Sequence, residues 1–178
     1  MEEDPALHAA LAEAMLLSDA KDRRRKSGQA HLKVSEFAAS RLRGDARIAA
    51  FSLNGWDTHR SQQRGLTRGL ERLSETILTL QAELGAQAWD QTALVAMTEF
   101  GRTARENGTK GTDHGTGGLM VLAGGAVRGG RVYGDWPGVA RNALYQGRDL
   151  MPTGDVRAPA AWITVSYTHL TLPTIYSV

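Results

Sequence analysis

Asp57, His59, Glu99, Asp113 and His114 are the side chains best suited to hold a divalent cation, and Arg102 is the group best suited to hold an anion. All six fall in three short polar stretches. Oxygen and imidazole donors in a chain without Cys suit Zn²⁺, Mn²⁺, Mg²⁺ or Ca²⁺, singly or as a pair. The planar guanidinium of Arg102 matches a phosphate or sulfate oxyanion. Asp57 and His59, spaced D-x-H, are a common pairing by chance. Asp113 and His114 carry more weight, because Gly111 and Gly115 around them allow close backbone approach to an ion or phosphate. Each residue also has a plain structural alternative. Asp57 can cap the following turn with His59 on a wet surface, Glu99 and Arg102 can form a local ion pair, and Asp113 can close an Asx turn.

The elements that must position these residues are legible as hydrophobic patterns. Residues 92–97 form a short apolar run that reads as a buried strand, and Thr98, Glu99, Phe100, Gly101, Arg102 and Thr103 follow at its exit. A carboxylate and an arginine are costly to hold at such an exit without a charged partner. Residues 48–53 read as an earlier strand, with 54–59 as the loop leaving it. Between the two, Leu66, Leu70, Leu73, Ile77, Leu80 and Leu84 alternate steps of four and three, which predicts a helix ended by Gly85. Strand, helix, strand over this length is a βαβ unit with parallel strands and a right-handed crossover. Both strands then finish at one sheet edge, where open α/β folds bind ligands.

Further along, residues 118–123 predict a third strand and 127–133 a hairpin around Gly129 and Gly130. Residues 134–159 are loop-rich, broken by Pro137, Pro152 and Pro159, and a helix begins between Asp155 and Trp162. Towards the start, Asp4 and Pro5 open a helix carrying Leu7, Leu11 and Met15, and Val34, Phe37, Ala38 and Leu42 mark another that stops near Gly44. Trp56 and Trp136 are expected to pack beside the site. The fold expected is a three-layer α/β sandwich with a mostly parallel sheet, the leucine stripe lying on one face of that sheet.

Length and composition suit one globular domain of 178 residues, 42% hydrophobic and 22% charged. The net charge is only +2, and the run from Lys21 to Lys26 reads as a solvated helix face or linker, so no nucleic-acid partner is expected. No stretch approaches the roughly 20 apolar residues of a membrane span. Met1 leads directly into an acidic helical pattern, so no signal peptide is expected in this chain. Residues 165–178 lack charge and are rich in Thr. They resemble translated sequencing-adapter read-through at the end of metagenomic gene predictions, and this division leaves 1–164 as the domain, 165–178 as a non-native tail and His169 without a role.

Four motifs in order carry a family resemblance: Gly55-Trp-Asp-Thr-His59; Thr98-Glu-Phe-Gly-Arg-Thr103 followed by Asn107; Gly111-Thr-Asp-His-Gly115; and Gly129-Gly-Arg-Val-Tyr-Gly134. Over roughly Phe51 to Arg157 the chain resembles the domain-of-unknown-function family 1501, which is placed among alkaline-phosphatase-like and sulfatase-like folds. The resemblance implies a metal-dependent hydrolase of phosphate or sulfate esters, exported to the periplasm or beyond, often by a twin-arginine signal. It puts metal ligands at Asp57, His59, Glu99 and His114, with Asp113 as a further ligand or supporting group and Arg102 on the oxyanion. It also implies that this chain is the C-terminal part of the domain, with the first-strand Asp and the Ser or Thr nucleophile N-terminal to it. Phe100 stands where the superfamily usually has His, which leaves a non-catalytic exported module with the same fold as the alternative. A sheet without its N-terminal strands is expected to self-associate through an unpaired edge.

Overall fold

The computed structural model describes residues 29–168. The expected helix at 4–15, the basic run at 21–26 and residues 169–178 lie outside the described residues. The elements in order are α1 (Ala30–Leu42), α2 (Gln62–Trp89), β1 (Leu94–Met97), β2 (Gly101–Arg102), β3 (His114–Gly115), β4 (Met120–Ala123), a 3₁₀ turn (Arg141–Ala143) and α3 (Arg157–Thr168).

Small residues on one side of α1 bring the two long helices together. Ser35 and Ala39 are fully buried and Ala38 nearly so, and Leu80 and Leu84 of α2 pack against them. Leu42, Ala88, Trp89 and Leu94 close the rim of this cluster, so β1 is anchored to the same core. Polar contacts pin the pair at both ends. His31 Nε2 lies 2.5 Å from Glu75 Oε2. Arg43 reaches the carbonyl of Glu83 and, at 3.4 Å, its carboxylate. Leu84→Ala removes a buried isobutyl group from a close-packed cluster and is expected to cost about 2–4 kcal/mol. The check is a urea unfolding curve with a lower midpoint and unchanged slope.

The leucine stripe of α2 therefore serves two ends differently. Its C-terminal half meets α1 and β1, whereas Leu66 and Leu70 are exposed. Trp56 covers part of that N-terminal half, its ring lying where a Cβ on Gly69 would come within 2.9 Å. Trp56 packs as expected; Trp136 does not, being 72% exposed. Gly85 breaks the helix as its position predicts, with φ 69° and ψ 170°, but helical structure resumes and runs to Trp89. At the other end of the chain, Asp155 accepts from the Arg157 backbone N–H at 2.9 Å and opens α3, which continues through 165–168.

The strand pairing departs from the parallel arrangement expected. β1 pairs antiparallel with β4, Leu94 opposite Ala123 and Met97 opposite Met120. The reason lies between them: residues 98–119 contain no helix, only turns and the small β2–β3 pair, and a parallel return needs a crossover element. Residues 46–58 form no strand ladder, and Ile48 is 73% exposed. An apolar extended segment becomes a strand only where a neighbour accepts its backbone hydrogen bonds, and none does so among the described residues. The hairpin expected at 127–133 is likewise absent there, with Val132 99% exposed.

β2 and β3 pair antiparallel, Gly101 opposite Gly115 and Arg102 opposite His114. Glycine is required at this crossing. A Cβ on Gly101 would lie 1.7 Å from the Gly117 carbonyl oxygen, so the backbones meet where no side chain fits.

Candidate metal centre

Residues 54–61 reach the β2–β3 pair through backbone contacts. The Thr112 N–H donates to the Thr58 carbonyl at 3.1 Å, that of Ser61 to Thr109 at 3.1 Å, and that of Gln62 to Lys110 at 2.7 Å. The Gln62 side-chain oxygen takes the buried Thr58 hydroxyl at 3.1 Å and the buried Thr112 hydroxyl as well. Gly111 makes the seat close: a Cβ there would lie 2.1 Å from the His59 carbonyl.

Asn107 ties the loop from inside. Its amide donates to the His59 carbonyl at 3.1 Å and to Asp113 Oδ1 at 3.0 Å. Its oxygen accepts from the Thr109 N–H at 3.0 Å, the Thr109 hydroxyl at 2.9 Å and the Gly111 N–H at 3.1 Å. One half-buried amide thus fixes both the backbone of His59 and the carboxylate that orients its ring.

Asp113 Oδ1 lies 2.9 Å from His59 Nδ1. A carboxylate only accepts, so Nδ1 carries the hydrogen and Nε2 is left for another partner. Around that Nε2 stand Asp57 Oδ1 at 3.0 Å and His114 Nε2 at 3.1 Å, and the remaining edge, His114 Nε2 to Asp57 Oδ1, is 3.4 Å. Donors on a tetrahedral ion with bonds near 2.0–2.1 Å stand about 3.3 Å apart, so the triangle has the dimensions of one face of such a site. The electrostatics agree. A neutral His59 with its hydrogen on Nδ1 turns its Nε2 lone pair on the Asp57 carboxylate, which a cation among the three atoms, or a second proton on the ring, relieves. Asp57, His59 and His114 fit a metal ion as donor chemistry and as geometry. All three are open to solvent, Asp57 the most.

Both carboxylates beside His59 are held in their ionised form. The Arg102 guanidinium, 2.9 Å from Asp57 Oδ1, holds the Asp57 carboxyl below the usual range, helped by His114 and His59. His59 first, then Asn107 and the more distant charges, hold Asp113 low in the same way. Both are anions at neutral pH.

Of the residues singled out in the sequence, Asp57, His59 and His114 form the triangle, and Asp113 supports it from behind His59. Glu99 is exposed and makes no hydrogen bond or ion pair among the described residues, so it stands outside the cluster. It also fails to pair with Arg102, whose partner is Asp57. Arg102 is a builder of the site rather than a free anion-binding fork. It donates to the Trp56 carbonyl at 2.8 Å, the Thr112 carbonyl at 2.9 Å and Asp57, fastening the two loops to each other. Phe100 stacks on His114 with ring centroids 4.0 Å apart.

Three contributors had no role assigned from the sequence. Asn107 was visible only as part of a motif. Asp149 is 5% exposed; its Oδ2 accepts from the Thr116 hydroxyl at 3.0 Å, and its backbone bridges Thr103 and Tyr145. Its Oδ1 has no hydrogen bond, although Arg148 Nη1 stands at ion-pair range, 3.3 Å. Arg148 also donates through Nη2 to the His114 carbonyl at 2.9 Å. Both lie in a loop with no local pattern to set it beside residues 102–116.

The family model described as "Protein of unknown function (DUF1501)" matches residues 2–169. No curated protein and no solved structure matches the chain.

Proposed function

This chain belongs to the DUF1501 family, and we propose that it holds a divalent metal ion on Asp57, His59 and His114 in a hydrolase of phosphate or sulfate esters. The observation that carries the reading is the triangle of 3.0, 3.1 and 3.4 Å around His59 Nε2. Two imidazoles with one carboxylate favour Zn²⁺ or Mn²⁺ over Mg²⁺ or Ca²⁺. A divalent ion there would act as a Lewis acid on the ester's phosphoryl or sulfuryl oxygen. Asp113 fixes the tautomer and direction of His59, Arg102 keeps Asp57 ionised and in place, and Asn107 holds Asp113. The alkaline-phosphatase-like, three-layer arrangement belongs to the same proposal and rests on the family resemblance; to it the described residues contribute the α1–α2 helix pair and the antiparallel β1–β4 pair. Export to the periplasm or beyond rests on the family resemblance. Among the described residues no helix is long and apolar enough to cross a membrane.

The competing reading is a non-catalytic exported module that keeps the ion. Phe100 favours it, since its ring covers His114 where a further imidazole would extend the ligand set. Elemental analysis of the full-length parent purified without chelator, with aryl phosphates and aryl sulfates as substrates, separates the readings. Stoichiometric metal with turnover is the expected result; metal without turnover supports the module, and metal-free, inactive protein overturns the hydrolase. Asp113→Asn is expected to weaken zinc affinity about tenfold to a hundredfold through loss of the second carboxylate behind His59. Glu99→Ala should leave that affinity unchanged. Isothermal titration with zinc reads both.

A further inference from the structure

We propose that Arg148 is the residue that holds the tetrahedral oxyanion of the ligand over the metal centre. The inference rests on the metal reading above and adds to it the group that recognises the ligand's charge. Arg102, the arginine expected in that role, has its guanidinium committed to the Trp56 and Thr112 carbonyls and to Asp57, and its side chain is only 22% exposed. Arg148 is different. Its side chain is 57% exposed, and one Nη2 hydrogen bond, to the His114 carbonyl, sets the guanidinium beside the residue whose imidazole completes the triangle. Its Nη1 meets the buried Asp149 carboxylate at 3.3 Å without forming a hydrogen bond, so donors remain free on the solvent side. Asp149 holds the base of this arginine in position through Thr116 and the bridge to Thr103, which attaches the loop to β2 and β3.

The charge balance points to an anion. Asp57, Asp113 and Asp149 set three carboxylates against the two guanidinium groups of Arg102 and Arg148, and a divalent ion turns that single negative excess into a positive one. A planar fork beside an exposed metal suits a ligand whose oxygens are shared between both, as the oxygens of phosphate and sulfate are.

The test titrates the zinc-loaded protein with inorganic phosphate and, separately, with sulfate, by calorimetry. Zinc affinity is measured in its own titration. Arg148→Ala should weaken oxyanion binding at least about tenfold while zinc affinity stays unchanged, as expected for loss of a charge-assisted hydrogen bond. Arg148→Lys should recover part of the loss, since it restores the charge without the fork, and it provides a second variant should the alanine protein fail to fold. Phosphate weakened alone, or sulfate alone, identifies which oxyanion the site takes. Equal oxyanion binding in parent and Arg148→Ala overturns the proposal, as does a zinc-loaded parent that binds neither anion. A parent that takes up no zinc overturns the metal reading itself, and this inference with it.

Discussion

His59→Ala is expected to reduce zinc uptake by about a hundredfold or more, the largest effect of any side-chain truncation at the site. The ring does two jobs at once. Its Nε2 is the corner common to the 3.0 Å and 3.1 Å edges, and its Nδ1 is the partner of Asp113. Truncation removes a ligand and also leaves Asp113 without the contact that most lowers its carboxyl. Asp57 and His114 alone, 3.4 Å apart, are two donors on an open surface. Equilibrium dialysis against zinc, with circular dichroism to show that the helices persist, checks the prediction. Retained stoichiometric zinc in folded His59→Ala protein would remove this residue from the ligand set.

Gly101→Ala is expected to destabilise the protein by about 3 kcal/mol or more, a large effect for a single methyl group. A Cβ 1.7 Å from the Gly117 oxygen, and 2.4 Å from its carbonyl carbon, meets backbone on a tightly crossed segment. No flexible side chain is available to yield. Either β2 moves, carrying Arg102 away from Trp56, Thr112 and Asp57, or 117–118 moves and strains the return into β4. Thermal unfolding read together with zinc titration should show both stability and metal affinity falling. Leu84→Ala, by contrast, acts on the helix pair and should lower stability without touching the triangle.

Much of this arrangement was legible in the residues, and the parts that were not share a cause. The leucine spacing of α2 announced a helix because an apolar stripe at that period has no other regular solution. The donors Asp57, His59 and His114 were legible by type and by their glycine-bounded loops. The pairing of β1 with β4 was not, because 94–97 and 120–123 look the same whether the chain returns parallel or antiparallel. Only the absence of a helix between them decides it. Residues 48–53 carry a strand's composition, but pairing depends on a neighbour. Glu99 and Asp113 are both carboxylates next to plausible ligands, and only the direction of the His59 ring separates an exposed bystander from an orienting partner. Arg102 and Arg148 differ in the same way: their chemistry is identical, and the number of carbonyls already claiming each guanidinium gives them different work.

The distance along the chain between the joined loops has a thermodynamic consequence. Asp57 and His114 are 57 residues apart, and the buried apolar cluster lies elsewhere, between α1, α2 and β1. Closing so long a stretch of chain costs entropy before any contact offsets it, in addition to the 40- and 44-residue stretches closed where α1 meets α2. The loops around His59 meet that cost with polar contacts, from Gln62, Asn107 and Arg102. An ion held by the closed loops and not by the open chain would stabilise the folded protein by mass action, the more so the higher its concentration over its dissociation constant.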